Sequence, residues 1–287
     1  MARTSNPEPE AQALSPLPEG TRPLLRHGSE AVAYHIPVAP SVDDQVPIKT
    51  TIALPRRSAW TSGLHFHASH TEYLRLVKGA IFVELGGQTK FISALRGGEI
   101  DKATGELLHE GLVVEVPRFT RHNWGRLEHY NELHRPRSRG ISRLWDLPED
   151  WDEEVVVEEW TDPIDIGKPL FFWNLNGIIT APSDLALRKR HKIAKNVLGS
   201  LWIDLQLFVV FWELDNWPIL VDFRKQLHLR GKQGLQATIA DAAEIVASFI
   251  LLFLARILGL LLDLQAVSRQ RTPDALWDAY KKSPRNL

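Results

Sequence analysis

Residues 63–79 have the sequence GLHFHASHTEYLRLVKG, and this stretch decides how the rest of the chain is interpreted. His65 and His67 are two residues apart, so on a β-strand both imidazoles leave the same face and two neutral nitrogens can converge on one cation. Glu72 follows on the next strand, where its carboxylate would face the same interior. Two imidazoles and one carboxylate suit a divalent first-row metal. The stretch therefore predicts half of a metal site.

A third histidine lies downstream, in GLVVEVPRFTRHNW at residues 111–124. Its run of β-branched residues predicts a strand that ends at Pro117, because proline cannot donate a ladder hydrogen bond. His122 then opens another strand and shares a face with Trp124. We expect His122 to complete the site.

The two stretches together resemble the motifs of the cupin superfamily. The first family motif is HxH, three or four residues, Glu, six residues and Gly, and it matches His65, His67, Glu72 and Gly79. The family's second motif has the form Gly, five residues, Pro-x-Gly-x-x-His, with an Asn four residues further on. The resemblance implies a site made of three histidines and one glutamate: His65, His67, Glu72 and His122.

This chain departs from the family pattern at three positions. Ala59 stands where the family has a Gly upstream of the first His, Phe119 stands at the Gly of the second motif, and Arg126 replaces its Asn. Phe119 puts the conformation of that turn in doubt, since glycine adopts a positive φ far more readily than phenylalanine does. The departures leave the four implied ligands in place.

The 287 residues have 44% hydrophobic content, a formal charge of −1 and no cysteine. This near-balance argues against a nucleic-acid partner, which calls for a basic excess. The absence of cysteine excludes disulfides, thiolate ligands and iron–sulfur clusters. The N-terminus lacks the apolar core of a signal peptide, so we expect a cytoplasmic protein, associated at most with an intracellular membrane.

Three segments are predicted. Residues 1–28 are rich in Pro and Glu and predict a disordered tail. Residues 29–180, with many short strand signals broken by Gly and Pro, predict a mainly β fold, which the resemblance specifies as the cupin double-stranded β-helix, a jelly-roll barrel. Residues 181–287 predict a helical, apolar C-terminal extension, with Pro182 and Ser183 as a helix-start signal.

The segment 196–264 also predicts an association, either with a membrane or with a second copy of the chain. Residues 245–262 are the richest apolar run, at about the lower length limit for a bilayer span, and Arg256 interrupts it. A membrane span, a buried helix and attachment to a membrane surface all stay open, as does a homodimer interface.

The resemblance implies one divalent ion, iron, manganese, nickel or zinc, with iron or manganese favoured. Leu74, Leu76 and Trp124 would line a pocket above it and favour a hydrophobic small molecule. Among cupins, the chain is most similar to the oxidoreductases of fungal polyketide clusters, which implies oxidation of a polyketide-type intermediate in secondary-metabolite biosynthesis. Two alternatives are an isomerase or cyclase that uses the metal as a Lewis acid, and a small-molecule-binding protein without catalysis.

Overall fold

The computed structural model describes residues 8–43, 45–102, 104–133, 148–180 and 189–282. Its strands are β1 Thr21–Arg26, β2 Val32–Pro37, β3 Thr50–Leu54, β4 His65–Phe66, β5 Thr71–Lys78, β6 Ala80–Leu85, β7 Gln88–Ser93, β8 Gly98–Ile100, β9 Leu107–Glu110, β10 Val113–Val116, β11 His122–Arg126, β12 Val155–Asp162 and β13 Trp217–Pro218. Its helices are α1 Leu127–Leu133, α2 Gly167–Thr180, α3 Lys189–Leu198, α4 Leu201–Glu213, α5 Phe223–Gln226, α6 Leu235–Leu262 and α7 Asp274–Lys282.

The strands form two antiparallel sheets that pack on one core. The first has the order β1-β2-β3-β12-β5-β10, and the second has the order β13-β4-β11-β6-β7-β8-β9. Side chains of both sheets meet between them, including Ile52 and Leu74 from the first and Val83 and Trp124 from the second. The predicted mainly β fold with a helical C-terminal extension is confirmed, with the strands in two antiparallel sheets.

The alternation predicted for the ligand strands is present. On β5, Glu72 and Leu74 are buried, whereas Arg75 is exposed and Tyr73 is intermediate. β10 ends at Val116, directly before the proline that was expected to end it. β11 then begins at His122, which lies opposite His65 of β4.

The N-terminal boundary predicted from composition is wrong. Strand β1 lies within residues 1–28, which were expected to be a disordered tail, and it pairs with β2 over six residues from Thr21↔Pro37 to Arg26↔Val32. Backbone hydrogen bonds to an existing sheet edge stabilise this segment despite its proline and charges. The helix-start signal at Pro182 and Ser183 lies outside the described residues.

The C-terminal extension is helical, but it also completes the second sheet. Strand β13 pairs with β4, with Trp217 opposite Phe66 and Pro218 opposite His65. Helix α6 packs closely on α4, because Gly259 has no side chain: a Cβ there would lie 2.6 Å from Val209 Cγ2. The predicted boundary at residue 181 therefore does not separate the strands from the extension.

Candidate metal centre

The structure brings the four sequence-predicted ligands together in the interior. One donor atom from each of His65, His67, Glu72 and His122 can be chosen so that all four lie within 4.8 Å of one another. All four side chains are buried, with exposed fractions of at most 5%. Strands β4 and β11 of the second sheet and β5 of the first, with His67 directly after β4, thus place three imidazoles and one carboxylate around one point.

The histidines are fixed in one tautomer by backbone carbonyls. Nδ1 of His65 lies 2.7 Å from the carbonyl O of Gly63, and Nδ1 of His122 lies 3.0 Å from that of Thr120. Nδ1 of His67 lies 2.5 Å from the backbone O of Asp215. A carbonyl oxygen only accepts, so each Nδ1 carries the proton and each Nε2 presents a lone pair to the interior. Burial supports the neutral form, because it lowers the pKa of His67 and lowers the pKa of His65 well below its ordinary value.

A buried lysine holds the fourth ligand. Lys168 of α2 donates from Nζ to Glu72 Oε1, which leaves Oε2 facing His122 and His67 at 2.9 and 3.5 Å from their Nε2 atoms. Burial alone would raise the pKa of Glu72, but the Lys168 ammonium together with the neighbouring His67 and His122 outweighs burial and holds the pKa well below its usual range. Glu72 is therefore a carboxylate with one oxygen available to the histidine cluster.

A second buried carboxyl group completes the polar interior. Glu159 of β12 accepts from Trp124 Nε1 at 2.9 Å and lies 3.4 Å from Lys168 Nζ. Burial raises the pKa of Glu159 above its ordinary value, while Lys168 offsets part of the effect. Burial would lower the pKa of Lys168, yet Glu72 and Glu159 together raise it, so the lysine stays an ammonium. The polar interior therefore contains a group able to hold a proton beside the four ligands.

These residues fit a divalent cation. In the tautomer set by the carbonyls, His122 Nε2 and Glu72 Oε2 point lone pairs at each other across 2.9 Å. Within the part of the chain that the structure describes, Nε2 of His67 and Nε2 of His122 have no hydrogen-bond partner. Buried acceptors without a donor are costly, and a cation between them removes that cost. Three imidazole nitrogens and one carboxylate oxygen suit Fe, Mn, Ni or Zn.

The C-terminal extension supports the ligand segment through Asp215, which follows α4. The Asp215 carboxylate accepts from the backbone N–H groups of Ala68, Ser69 and His70 at 2.8, 2.9 and 3.1 Å. It also accepts from Trp217 Nε1 at 2.9 Å. One aspartate thus holds both the turn after His67, through its carboxylate, and the His67 ring, through its backbone oxygen.

His70 is not part of the ligand cluster and lies between two aspartates. Its Nδ1 lies 2.8 Å from Asp215 and its Nε2 lies 2.8 Å from Asp165. Burial would lower the pKa of His70, but these two hydrogen bonds raise it to about 9. The imidazolium joins the segment before α2 to the turn before β13.

The fold accommodates Phe119 and Arg126, the two positions that depart from the second motif. Phe119 adopts φ 59°, the left-handed conformation that glycine would take, and its backbone N–H donates to the carbonyl O of His67 at 2.7 Å. Arg126 is fully buried and donates to the carbonyl oxygens of Leu54 and Glu153 and to the Glu128 carboxylate. The turn before His122 therefore keeps the conformation that a glycine would favour.

The cavity at the site is small and lies on the side of the extension. Its volume is about 20 Å³, close to the space of one water molecule. The lining includes His67 and Lys168 together with Phe171, Leu214 and Asp215.

The residues predicted to line a substrate pocket lie elsewhere. Leu74, Leu76 and Trp124 are in the packed core, at most 1% exposed, and they do not border this cavity. Their contact with a substrate stays a prediction.

Sequence reasoning missed three residues of this site: Glu159, Lys168 and Asp215. Only Lys168 carries a local signal, because it is the single charge in the run GKPLFFWNL at residues 167–175. A charged residue inside an apolar helical run is seldom fully buried without a partner. Glu159 and Asp215 belong to no short spacing pattern.

Comparisons with known proteins give structural similarity without sequence relatives. No family model and no curated protein matches the chain. Similar solved structures include KdgF from Halomonas sp., with 18% identity, a TM-score of 0.25 and coverage of 45% of this chain and 79% of that one. They also include a cupin 2 conserved barrel domain protein from Rhodopseudomonas palustris, with 12% identity, a TM-score of 0.29 and coverage of 54% and 81%.

The capsular polysaccharide assembling protein CapF from Staphylococcus aureus is similar over a smaller share of its length. Identity is 14%, the TM-score is 0.29, and the match covers 51% of this chain and 33% of CapF. The chain thus spans about a third of that protein. At these identities and TM-scores, the three structures do not assign an activity to this chain.

Proposed function

We propose that this chain is a metal-dependent enzyme of the cupin type. The observation that carries the proposal is the convergence of three Nε2 lone pairs and one carboxylate oxygen in a buried site, with every Nδ1 committed to a backbone carbonyl. In metal-binding histidines, a hydrogen bond at the second ring nitrogen fixes the tautomer and the orientation of the ring. Ordinary core packing does not require three histidines to be oriented in this way.

His65, His67, Glu72 and His122 would hold the ion, which would supply Lewis-acid or redox chemistry to an oxygen atom of the substrate. Lys168 keeps Glu72 ionised and fixes which carboxylate oxygen faces the histidines.

Beside the candidate ligands, Glu159 and Lys168 can hold and transfer a proton. Glu159 Oε2 lies 3.4 Å from Lys168 Nζ, close enough for a proton to be shared between them after small movements. Phe171 and Leu214 give the cavity an apolar border, which would limit the access of bulk water.

We propose two reaction classes for this site. The first is oxidation of a hydrophobic, polyketide-type intermediate, which the motif resemblance implies. The second is isomerisation or cyclisation with the metal as Lewis acid, and the Lys168–Glu159 pair favours it because such reactions need a proton donor and acceptor next to the metal. A cavity of about 20 Å³ admits only a small group, so a larger substrate needs the side formed by α2 and Leu214 to open.

The primary test is metal content. We expect the untagged protein to contain close to one iron, manganese, nickel or zinc per chain by mass spectrometry, and His122→Ala to lose most of it while circular dichroism stays that of a folded β protein. His109→Ala, at an exposed histidine of β9, is the matched control and should keep the metal. Equal metal in parent and His122→Ala, or none in the parent after reconstitution, would contradict the proposal.

The reaction class is tested next. Uptake of dioxygen with reduced polyketide-type phenols, absent in His122→Ala, would support the oxidoreductase. Metal-dependent exchange of substrate hydrogen with deuterated solvent, abolished in Glu159→Gln and without dioxygen uptake, would support the isomerase or cyclase. Tight binding of such compounds with neither reaction would leave the non-catalytic binding protein.

A further inference from the structure

The large apolar residues of helix α6 face away from the domain core, whereas a helix of a soluble domain normally buries them. The seven residues that it buries are mostly small or polar: Ala237, Ala240, Glu244, Ser248, Leu252, Ala255 and Gly259. The large apolar residues face outward, with 41–74% of their surface exposed: Val246, Ile250, Phe253, Leu254, Ile257 and Leu261. A helix that packs on a core normally shows the opposite arrangement.

The exposed residues form one continuous face. They recur at i, i+4, i+7, i+8, i+11 and i+15 from Val246, which is helical spacing on a single side. Helix α3, which contacts α6, adds two exposed apolar residues, Ile193 and Val197, at 57% and 78% exposure. We call this surface, made by α6 from residue 246 to 261 and by α3, the outer apolar face.

The outer apolar face runs alongside the domain. The buried stripe extends from Ala237 to Gly259, about 33 Å at 1.5 Å per residue, and packs on α4, α5 and β13 along this length. α6 passes the length and composition test for a membrane span, yet its contacts would carry the strands into the hydrocarbon with it. A helix placed in this way can contact a bilayer along its side.

Basic residues lie near both ends of α6. Lys225, Arg230 and Lys232 precede α6 and are exposed, and Arg230 also pairs with Asp222. At the other end, His191 Nε2 lies 2.9 Å from the carbonyl O of Leu262, so α3 with its exposed Lys192 begins beside the end of α6. Between the ends, the single basic residue of the segment 246–261, Arg256, is paired with Glu213.

The segment 189–262 also carries a net positive charge. Residues 189–262 contain nine Lys and Arg against six Asp and Glu, an excess of three positive charges, whereas the whole chain carries −1. An apolar face with basic flanks matches the two attractions that hold an interfacial helix on an anionic leaflet, apolar burial and about 1 kcal/mol for each Lys or Arg near the surface.

We propose that the outer apolar face binds the surface of an anionic lipid bilayer, with α6 lying parallel to the membrane plane. The inference does not depend on the metal chemistry. Strand β4, which contains His65 and directly precedes His67, lies behind this surface, because the ring of Phe249 of α6 contacts Trp217 at 4.1 Å between centroids and Trp217 stacks on Phe66 at 6.1 Å.

The test is vesicle flotation of the full chain. Vesicles of phosphatidylcholine are compared with an equal mixture of phosphatidylcholine and phosphatidylserine. We expect at least a roughly ten-fold preference for the anionic vesicles, reduced by high salt. The variant Ile250→Gln/Leu254→Gln/Leu261→Gln should lose flotation, while Leu107→Gln/Leu108→Gln, at exposed leucines of β9, should float like the parent.

Three results would overturn the proposal. The parent could fail to float with either vesicle. It could float equally with both vesicles regardless of salt, which indicates an inserted helix. It could form a dimer by light scattering that the triple variant converts to a monomer, without flotation, which would assign the face to a second copy of the chain.

Discussion

Asp215→Asn should weaken metal binding without changing any candidate ligand. The Asp215 carboxylate holds the backbone N–H groups of residues 68–70, directly after His67, and pairs with the His70 imidazolium. Asparagine has the same shape and tolerates the left-handed conformation that Asp215 adopts, at φ 52°. The backbone oxygen that accepts from His67 Nδ1 is present in both proteins. The substitution therefore removes the charge and one acceptor oxygen, and little else.

The magnitude follows from the bonds that change. The amide NH2 of asparagine faces N–H donors where an acceptor oxygen stood, and the ion pair with His70 is lost. Two charge-assisted hydrogen bonds at about 1.5 kcal/mol each give a loss of about 3 kcal/mol in the free energy of unfolding. Removing such a support of a metal-binding histidine typically costs about 10–100-fold in metal affinity. We expect a change of that size in the dissociation constant.

Metal affinity is measured by competition with a chromogenic chelator, and stability by urea unfolding of the metal-free protein. Asp165→Asn is the matched control, since Asp165 also pairs with His70 but makes no bond to the backbone of residues 68–70. It should lower stability and change metal affinity by less than about three-fold, well below the range for loss of a ligand support. Unchanged affinity in Asp215→Asn, or an equal loss in both variants, would refute this account of how the ligand segment is held.

Phe119→Gly should change the free energy of unfolding by less than about 1 kcal/mol, because relief of about 1–2 kcal/mol of left-handed strain offsets the loss of a half-exposed ring. Phe119→Val should destabilise by more than that in urea, and equal values for the two variants would contradict the strain. Lys168→Met should destabilise the chelator-treated protein by about 3–5 kcal/mol, because Glu72 and Glu159 lose their buried ammonium partner. Saturating metal should restore part of this loss, and an unchanged urea midpoint would be inconsistent with the pairing. The pKa of His70 is raised in the fold from 6.5 to about 9, so its contribution to stability is complete below pH 6.5 and is lost as the pH rises through 9. The shift corresponds to at most about 3 kcal/mol, and His70→Gln should flatten unfolding free energies measured across this range; a parallel curve would exclude His70 as the titrating group.

The four candidate ligands could be predicted because each follows from local chain geometry. A spacing of two residues in a strand puts His65 and His67 on one face, and the proline before β11 locates the strand that His122 opens. Lys168, Glu159 and Asp215 could not be found in this way. They reach the site from α2, β12 and the turn after α4, and only the packing of distant segments brings them there.

The segment boundaries could likewise be predicted only where the local sequence determines them, and not where contacts with distant segments do. Residues 21–26 have the composition of a tail, yet their pairing with β2 makes them a strand. The sequence of these six residues alone does not indicate that pairing. Helix α6 was visible as an apolar run, but the sequence alone left three placements open. Which side of the run packs inward depends on small residues such as Ala255 and Gly259, whose role appears only against α4.

The pairing of β4 with β13 sets an order for assembly during synthesis. All four candidate ligands have been translated once residue 122 is added, but β4 is only two residues long and one of its edges stays open until Trp217 and Pro218 are made. Until Asp215 is made, His67 also lacks the carbonyl that fixes its tautomer. A nascent chain therefore carries the ligands without a finished site, and an open strand edge is a template for pairing with other chains. A metal ion would therefore meet a completed centre only after about three-quarters of the chain has been synthesised, which would tie metal loading to synthesis of the C-terminal extension.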